Sequence, residues 1–452
     1  MEETAQLKPL FTREALVRLI IPLVVEQFLL MSVGMMDTVM VTSAGQAAVS
    51  GVSLVDNMNL LIIMIFSALS TGGAVVCSQY LGRQEVENAR TAAKQLLYVV
   101  FSLATVLMVL ALVFRRHLLS LLFGQIEPDV MDSALMYFLA TSLAYPFISL
   151  YNAGAALFRS MGNSKVSMFN SLIVNIVNVV VNAVLIYGFG MGALGAGIGT
   201  LVSRIVATVI ILCLLQHHNN VLRVEGLLQL RFRRDMVRRI LTIGIPNGLE
   251  NGLFQAGKLV VLSLITLFGT DAVAANAIAN SIASVVNVPG QAIGLAMITV
   301  VGQCMGARRP DQAVHYAKRL VGLVYLSLGS LSLLMFFFAA PLCSIFQLTP
   351  RAAAMAAEVL RWCAVFNCLV WPLSFTLPNA LRAAGDAVFT MAVSLASMFL
   401  FRVCFSYVLS CSWGMDLGLL GVWIAMIIDW WVRALFFVLR FARGKWKQIN
   451  LI

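Results

Sequence analysis

Two acidic residues, Glu26 and Asp37, lie in a long apolar segment near the start of the chain, where a charge is costly. The spacing of eleven positions places their carboxylates about 20° apart around an α-helix and about three turns apart along it. Inserting a charged side chain at the middle of a bilayer costs about 2.5–3.5 kcal/mol. A carboxylate that faces a cavity there can bind and release a proton or a metal cation. The alternative for both residues is a hydrogen bond to a neighbour with no further role.

Three asparagines form a polar stripe on a later apolar segment. Asn175, Asn178 and Asn182 have the spacing i, i+3 and i+7, which places them on one face of a helix. Amide groups within a membrane need hydrogen-bonding partners. The stripe therefore predicts either hydrogen bonds between helices or a polar pocket lined by carbonyl oxygens.

A third charged segment, GIPNGLENGLFQAGK, carries Glu250 and Lys258 about 80° apart on one side of a helix. Pro246 and the glycines beside it loosen this helix. A loosened helix that carries charge at membrane depth is typical of a bending element that lines a substrate path. An internal ion pair is the alternative.

Other charged residues lie within or near the ends of apolar segments. Asp56 could face an outer vestibule, and Arg361 and Arg402 could neutralise acids in the second half. Asp429 and Arg433 are four positions apart, which predicts a self-neutralising pair. As candidates for the wall of a substrate cavity we take Glu26, Asp56, Asn175, Glu250, Lys258 and Arg402.

The composition shows which solvent surrounds the chain. Of its 452 residues 60% are hydrophobic and only 11% are charged, with a mean hydropathy of +0.92. A soluble protein carries about a quarter of its residues as Asp, Glu, Lys and Arg. The apolar runs are about 20 residues or longer, the length that a membrane helix needs. We therefore predict an all-α polytopic membrane protein with twelve transmembrane helices, at residues 15–41, 51–79, 93–114, 132–158, 165–187, 192–216, 237–267, 272–303, 314–339, 352–380, 387–411 and 417–440.

The sequence repeats itself at a shift of about 224 positions. Residues 78–97 match residues 302–321, so that Gln79 corresponds to Gln303 and Gly82 to Gly306. A constant shift of about half the chain predicts two homologous six-helix bundles, which in a hydrophobic chain is typical of a transporter with its site between them. Six helices per half is an even number, so the repeat is parallel. The predicted domains are an N-terminal lobe (1–216), a cytoplasmic linker (217–236) and a C-terminal lobe (237–452).

The basic residues predict the orientation in the membrane. With the N-terminus inside, 22 Lys and Arg residues fall on cytoplasmic segments, and only Arg115, Arg116 and Arg351 fall on the opposite side. This asymmetry agrees with the positive-inside rule and accounts for the formal net charge of +11. Because the basic residues are scattered over loops, binding to nucleic acid is a poor explanation of the charge.

The sequence gives little support to an enzyme. The eight cysteines have no paired metal-ligand spacing, and the four histidines fall in loops or at helix ends. No GxxxxGK[ST] loop is present, so ATP is not expected as the direct energy source. Energy for uphill transport would then come from an ion gradient.

The motifs taken together resemble those of the multidrug and toxic compound extrusion (MATE) transporters over nearly the full chain. They are GMMDTVMV around Asp37, the Q-x-x-G after the second and eighth helices, LFRSMGNSK after the fourth, and NIVNVVVNAVLIYG in the fifth. The resemblance implies a cation site formed by Asp37, Asn178, Asn182 and Thr200. The position of Asn182 usually holds an acid in this family, so Asp37 is the only acid of this quartet here. Either Na⁺ held by Asp37 and neutral oxygens, or a proton on Asp37 alone, remains compatible with it.

The resemblance also implies a function. It is the export of lipophilic, cationic compounds across the cell (inner or plasma) membrane, by alternating access of a V-shaped pair of lobes. Na⁺ or H⁺ is the coupling ion, no cofactor is implied, and we expect a monomer with both termini cytoplasmic. Its expected partners are a small-molecule substrate and the lipid bilayer. The alternative is a flippase for lipid-linked precursors. An acidic central cavity would favour cationic compounds, and a basic cavity would favour phosphorylated lipids.

Overall fold

A computed structural model of the protein describes residues 9–124, 127–218, 220–227, 229, 231–411 and 414–452. Residues 1–8, expected on the cytoplasmic side, lie outside the described part, as do Asn219, Leu228 and Leu230 of the expected linker. Helices account for nearly all the regular structure, and the described residues contain no strand. The long apolar runs predict this all-α architecture, and it is confirmed.

The first half of the chain forms seven α-helices, because its apolar runs are separated by short polar or glycine-containing turns. They are α1 (Arg13–Val41), α2 (Gln46–Gly82), α3 (Val86–Phe123), α4 (Pro128–Leu143), α5 (Tyr145–Ser160), α6 (Ser164–Asn182) and α7 (Gly192–Gln216). A π-helical segment, Ala183–Gly188, continues α6. The α4 and α5 helices meet at a bend of 46° and together form one crossing.

The second half forms eight α-helices and reproduces the same order of crossings. They are α8 (Arg234–Thr266), α9 (Thr270–Gly306), α10 (Pro310–Ser344), α11 (Pro350–Trp371), α12 (Leu377–Ala384), α13 (Ala387–Ser397), α14 (Cys404–Ser410) and α15 (Gly418–Arg443). Two π-helical segments, Pro372–Thr376 and Met398–Val403, join α11 to α12 and α13 to α14. Such segments often occur at functional sites.

Ten crossings of the described chain are long and apolar enough to span a membrane, and the bent α4–α5 pair forms an eleventh. The remaining predicted crossing, the seventh along the chain at 237–267, corresponds to α8. This helix has 33 residues and is long enough to span a membrane. Polar residues, Glu250 and Lys258 among them, keep α8 outside the group that apolarity alone identifies. The helices also extend beyond several predicted boundaries: α3 reaches Phe123, nine residues past the predicted end, and includes Arg115 and Arg116.

The first helix of each half begins in the core of the other half. Leu16 and Leu19 of α1 belong to the same buried cluster as the core of the second half. Met236 and Ile240 of α8 belong to a buried cluster of the first half. The shift of 224 takes Leu16 to Ile240, so the exchange follows the repeat. The two halves are therefore joined by two helices as well as by the linker.

A reciprocal contact closes one end of the interface between the halves. Gln79 donates a hydrogen bond to the carbonyl oxygen of Ala383 at 2.7 Å, and Gln303 donates one to the carbonyl oxygen of Ser160 at 2.7 Å. A Cβ at Gly82 would lie 2.0 Å from the Gln303 carbonyl oxygen. This close approach explains why glycine follows each glutamine in the repeated Q-x-x-G. We call the contact the glutamine latch.

The opposite end of the interface is open. In α9, residues 292–304 are buried except Leu295 and Gln303, whereas Asn280, Ser284 and Gln291, nearer the start of the helix, are exposed. The exposed positions face a cavity between the halves. The glutamine latch therefore forms the floor of a cavity that opens toward the end of the molecule where α9 begins.

Candidate functional site

The acid predicted on α1 lies against the asparagine stripe of α6. Asp37 is 7% exposed, and the Nδ2 group of Asn182 donates a hydrogen bond to its Oδ1 at 2.6 Å. The same Nδ2 group lies 3.3 Å from Oδ1 of Asn178. The i, i+4 spacing places the two asparagines on the face of α6 that packs on α1. The structure therefore brings together three of the four residues implied by the resemblance.

The fourth residue, Thr200 of α7, follows a glycine that packs directly on this group. A Cβ at Gly199 would lie 1.8 Å from Oδ1 of Asn182, so only glycine allows α7 to approach so closely. Oγ1 of Thr200, Oδ1 of Asn182 and Nδ2 of Asn178 are buried and have no hydrogen-bond partner among the described residues. Buried polar atoms are nearly always paired. The group around Asp37 therefore contains two unused oxygen acceptors and one unused donor.

No basic side chain of the described chain lies within 4 Å of the Asp37 carboxylate. Its electrostatic neighbours are Asp56 and Arg204. Asp56 accepts a hydrogen bond from the Tyr137 hydroxyl at 2.8 Å. It therefore lies inside the first half near Asp37, and not at the outer vestibule where we expected it.

Asn175 belongs to a different environment from the other two asparagines of the stripe. Its Nδ2 donates to the carbonyl oxygen of Leu29 at 3.0 Å, so it ties α6 to α1. Asn175 does not line the central cavity. Of the two roles that the stripe allowed, Asn175 and Asn182 both make hydrogen bonds between helices, and Asn178 and Asn182 lie beside the Asp37 carboxylate.

Two of the candidate acids are held in ion pairs that repeat between the halves. Glu26 lies 3.0 Å from Arg159, and the Ser167 hydroxyl donates to it at 2.7 Å. Glu250 lies 2.7 Å from Arg382. A shift of 224 takes Glu26 to Glu250, and a shift of 223 takes Arg159 to Arg382. Glu250 is buried in the second half and does not line the cavity, contrary to our expectation.

The central cavity has a volume of about 730 Å³ and is lined by both halves. Its charged lining residues are Glu26, Arg159, Arg204, Lys258 and Arg402. Because Glu26 is paired with Arg159, three basic residues remain without a compensating acid on the wall. The cavity is therefore basic. Its aromatic lining residues are Tyr151, Phe254, Trp371, Phe375, Trp423 and Trp430, and aliphatic residues such as Leu30, Ile63 and Met426 complete its apolar surface.

The pairing expected between Asp429 and Arg433 is wrong. Arg402 approaches the Asp429 carboxylate at 4.0 Å, and Arg433 approaches Glu250 at 3.7 Å. The Ser397 hydroxyl donates to Asp429 at 2.5 Å and occupies the other carboxylate oxygen. The π-helical segment Met398–Val403 carries Arg402 to this position, a displacement that the i, i+4 rule for regular helices does not anticipate.

Comparison with known proteins identifies the family. The MatE family model matches the chain twice, at residues 22–184 and 246–408. The two matched segments begin 224 positions apart, which is the internal shift of the sequence. The chain belongs to the MatE family. Its two homologous halves are the repeat of that family.

Curated relatives extend over nearly the whole chain. The uncharacterised transporter YisQ of Bacillus subtilis is 27% identical, over 99% of this chain and 98% of its own length. The probable multidrug resistance protein NorM of Thermotoga maritima is 25% identical, over 96% of this chain and 93% of its own length. This MatE-family chain is therefore a multi-pass membrane transporter.

A solved structure confirms the fold. A multidrug resistance MATE family transporter in an outward-facing conformation has a TM-score of 0.89 and 20% identity, with 97% of both chains covered. Two homologous six-helix bundles, as predicted from the repeat, are the architecture of this MatE-family protein. In the part of the chain that the structure describes, no group of three His, Cys, Asp or Glu side chains could hold a metal ion.

The sequence analysis of this MatE-family chain missed two features of the site. Arg204 and Tyr151 both line the cavity, with the guanidinium 5.5 Å from the ring centroid. Arg204 lies one turn after Thr200 on the same helix face, a spacing that could have linked it to the cation site. The repeated ion pairs could also have been found, because the shift that revealed the repeat aligns Glu26 with Glu250.

Proposed function

We propose that this protein is a cation-coupled antiporter of the plasma membrane, which exports amphipathic small organic compounds by alternating access. It works without an enzymatic step and without a cofactor, and Na⁺ or H⁺ supplies the energy. The chain acts as a monomer, its lobes corresponding to residues 1–216 and 237–452.

The observation that carries the proposal is the environment of Asp37. The carboxylate is buried, accepts a hydrogen bond from Asn182 and has no basic side chain within 4 Å in the described chain. Removing a carboxylate from water is costly unless it is paired. Binding of a cation or a proton removes that cost, so the site is suited to a reversible cation.

Neutral oxygens around Asp37 support Na⁺ as one of the two coupling ions. Rotation of the Asn182 amide by about 180° would turn its unpartnered Oδ1 toward the carboxylate and its amino group away. Asn178 and Thr200 offer further oxygens. A proton would need only Asp37 and would leave the amide of Asn182 in place. Na⁺ and H⁺ therefore require opposite orientations of the Asn182 amide.

The closed glutamine latch supports an outward-facing conformation. It lies at the end of the molecule that the basic residues assign to the cytoplasm, beside Arg83 and Arg308. In the proposed cycle, substrate leaves through the open end, and a cation then binds near Asp37. The cation drives the return only through its different affinity for the two conformations.

The charge of the cavity bears on the substrate. A lipophilic cation was the expected substrate, but three basic residues without a compensating acid on the cavity wall do not favour one. The second candidate function, transport of lipid-linked precursors, is favoured by that basic wall, since such substrates carry phosphates. A volume of about 730 Å³ fits a drug-sized molecule better than a large lipid-linked head group.

A thermal-shift experiment tests the cation site independently of any substrate. The purified protein is heated in NaCl and in choline chloride at equal ionic strength, at several pH values. A ligand that binds only the folded state raises the melting temperature. We expect Na⁺, or low pH in choline, to stabilise the wild type and to have no such effect on Asp37→Asn.

The matched control is Asp132→Asn, which removes an exposed acid on α4. This variant should respond to cations as the wild type does. The proposal fails if Asp37→Asn responds to Na⁺ and to pH as strongly as the wild type.

A further inference from the structure

We propose that the central cavity binds amphipathic organic anions, which carry a carboxylate, sulfonate or phosphate group on an aromatic or aliphatic body. The inference rests on the proposed export function and names the substrate class for it. Lys258 and Arg402 hold the anionic group, and Arg204 faces it from the other half. The first observation is the charge of the wall described above.

The aromatic ring of Phe254 gathers basic side chains on the second half. The Lys258 ammonium and the Arg402 guanidinium each lie 5.3 Å from the centre of this ring, and both line the cavity. The Arg433 guanidinium lies 5.3 Å from the same centre, outside the cavity wall. Three like charges around one ring repel one another in a medium of low dielectric constant. An anion at this position would relieve that repulsion.

The acids nearby neutralise these basic groups only in part. Asp429 lies 4.0 Å from Arg402, at the limit of an ion pair, and Glu250 is engaged by Arg382 and Arg433. Lys258 has no ion pair and no hydrogen bond to any described residue.

Unused hydrogen-bond donors point to the same ligand. Nε of Arg402 and Nε of Arg204 are buried and have no acceptor in the described chain. Leaving a buried charged donor without an acceptor is unfavourable. A carboxylate or sulfonate supplies two or three oxygens, and guanidinium groups bind such groups through paired hydrogen bonds. The cavity therefore contains donors without acceptors, which an anionic ligand would complete.

The rest of the wall fits an apolar body. Trp371, Phe375, Trp423 and Trp430 line the cavity on the second half. The asparagines Asn152, Asn280 and Asn287 are also on the wall and can bind neutral polar groups. The wall therefore offers an aromatic surface for an apolar body and polar side chains that can fix its orientation. A cationic compound would find the same aromatic surface but would be repelled by Lys258 and Arg402.

A binding experiment with two matched probes tests the inference. Dansylglycine carries a carboxylate, and dansylcadaverine carries an ammonium group on the same fluorophore. Tryptophan residues on the cavity wall can transfer excitation energy to a bound dansyl group. We expect saturable energy transfer in the full-length protein with dansylglycine, at an affinity at least tenfold higher than with dansylcadaverine.

Lys258→Gln is the decisive variant, because Lys258 has no ion pair and no hydrogen bond to a described residue, and its removal loses only its contact with the Phe254 ring. We expect it to weaken dansylglycine binding about tenfold, as loss of a charge-assisted hydrogen bond does. Lys258→Arg should retain binding. The matched control is Arg361→Gln, which removes an exposed arginine of α11 that is not on the cavity wall and should leave binding unchanged.

A competition experiment distinguishes the two possible sources of the anionic group, a phospholipid head group and a soluble organic anion. A short-chain fluorescent phosphatidylglycerol competes with dansylglycine if the ligand is a phospholipid head group, and free phosphorylated or sulfonated aromatics compete if it is a soluble anion. The inference is overturned if dansylglycine shows no saturable signal, if dansylcadaverine binds equally well, or if Lys258→Gln binds dansylglycine as the wild type does. None of these results affects the cation response of Asp37, so the proposed function would stand.

Discussion

The two halves of the molecule share a set of charges that repeats and differ in a set that does not. The pairs Glu26–Arg159 and Glu250–Arg382 occupy corresponding positions and join the same elements in each half. Asp37 has no counterpart, since the shift of 224 takes it to Val261. The repeated charges are paired within the protein, whereas Asp37 and Lys258, which occur in only one half, have no ion pair within the described chain.

We interpret the repeated ion pairs as stabilising the fold, and Asp37, Lys258 and Arg402 as residues for binding ligands. The first half keeps a lone acid among amides, which suits a cation. The second half keeps Lys258 and Arg402 on the cavity wall, at positions that correspond to Gly34 and Asn178. An ancestral duplication would have given both halves the same residues. Asp37, Lys258 and Arg402 differ from the residues at the corresponding positions, and they are the charges to which we assign a ligand.

We expect the largest loss of folding stability when one of the repeated ion pairs is broken. Glu250→Gln leaves Arg382 and Arg433 buried without their common acid, and breaking a buried pair in this way costs about 3–5 kcal/mol. We expect a melting temperature several degrees lower. Glu26→Gln should cost less, because its partner Arg159 reaches the cavity with 16% of its side chain exposed.

A double variant provides the control for this prediction. Glu250→Gln combined with Arg382→Gln removes both main partners and should recover part of the lost stability. Equal melting temperatures for Glu250→Gln and the wild type would show that the repeated charges do not have a structural role.

A smaller loss of stability is expected when the glutamine latch, which is built alike from both halves, is disturbed. Gly82→Ala places a methyl group against the Gln303 carbonyl, an overlap that costs about 1–3 kcal/mol in the closed state. We expect the closed end to open more often and the buried Cys304 to react about tenfold faster with a maleimide. The measurement uses a variant in which Cys304 is the only cysteine.

Gly322→Ala is the matched control, because a Cβ at Gly322 has no atom within 4 Å. Its Cys304 should react at the wild-type rate. An unchanged rate in Gly82→Ala would mean that the latch does not hold this end closed.

The smallest predicted effect is a change in the pH dependence of Na⁺ binding at the cation site. In Asn182→Asp a second carboxylate replaces the amide 2.6 Å from Asp37. Two carboxylates at this distance share a proton, so the site carries one negative charge at low pH and gains a second as the pH rises. Stabilisation by Na⁺ should therefore increase with pH, by up to about tenfold in apparent affinity. A pH profile identical to that of the wild type would show that these residues do not form one pocket.

The sequence predicted the architecture well because its signals are additive over many residues. Long apolar runs, the distribution of Lys and Arg and the shift of 224 each average over a whole helix or half. The quartet around Asp37 was implied by the resemblance, and helix periodicity predicted only that Asn178 and Asn182 share one helix face. The crossing at 237–267 was also predicted, although Glu250 and Lys258 lower the hydropathy of α8 and make its apolar signal the weakest of the twelve.

Contacts between distant segments were harder to predict. Nothing local in the sequence shows that Glu250 pairs with Arg382 and Arg433, or that a π-helical segment brings Arg402 to Asp429. The charge of the cavity depends on which of the charged residues are paired, so it could be determined only from the structure. The expectation of a cationic substrate was based on the resemblance, and the basic wall argues against it.

The number of charges moved in each transport cycle tests the account most directly. Exchange of one outgoing monovalent anion for one incoming cation moves two positive charges inward, whereas exchange of a monovalent cation for a cation moves none. A potential of 100 mV contributes about 2.3 kcal/mol per charge. In proteoliposomes with a potassium diffusion potential, an inside-negative potential should accelerate dansylglycine export strongly, and Asp37→Asn should abolish the acceleration. Export of dansylcadaverine that is independent of the potential, with no export of dansylglycine, would contradict the account.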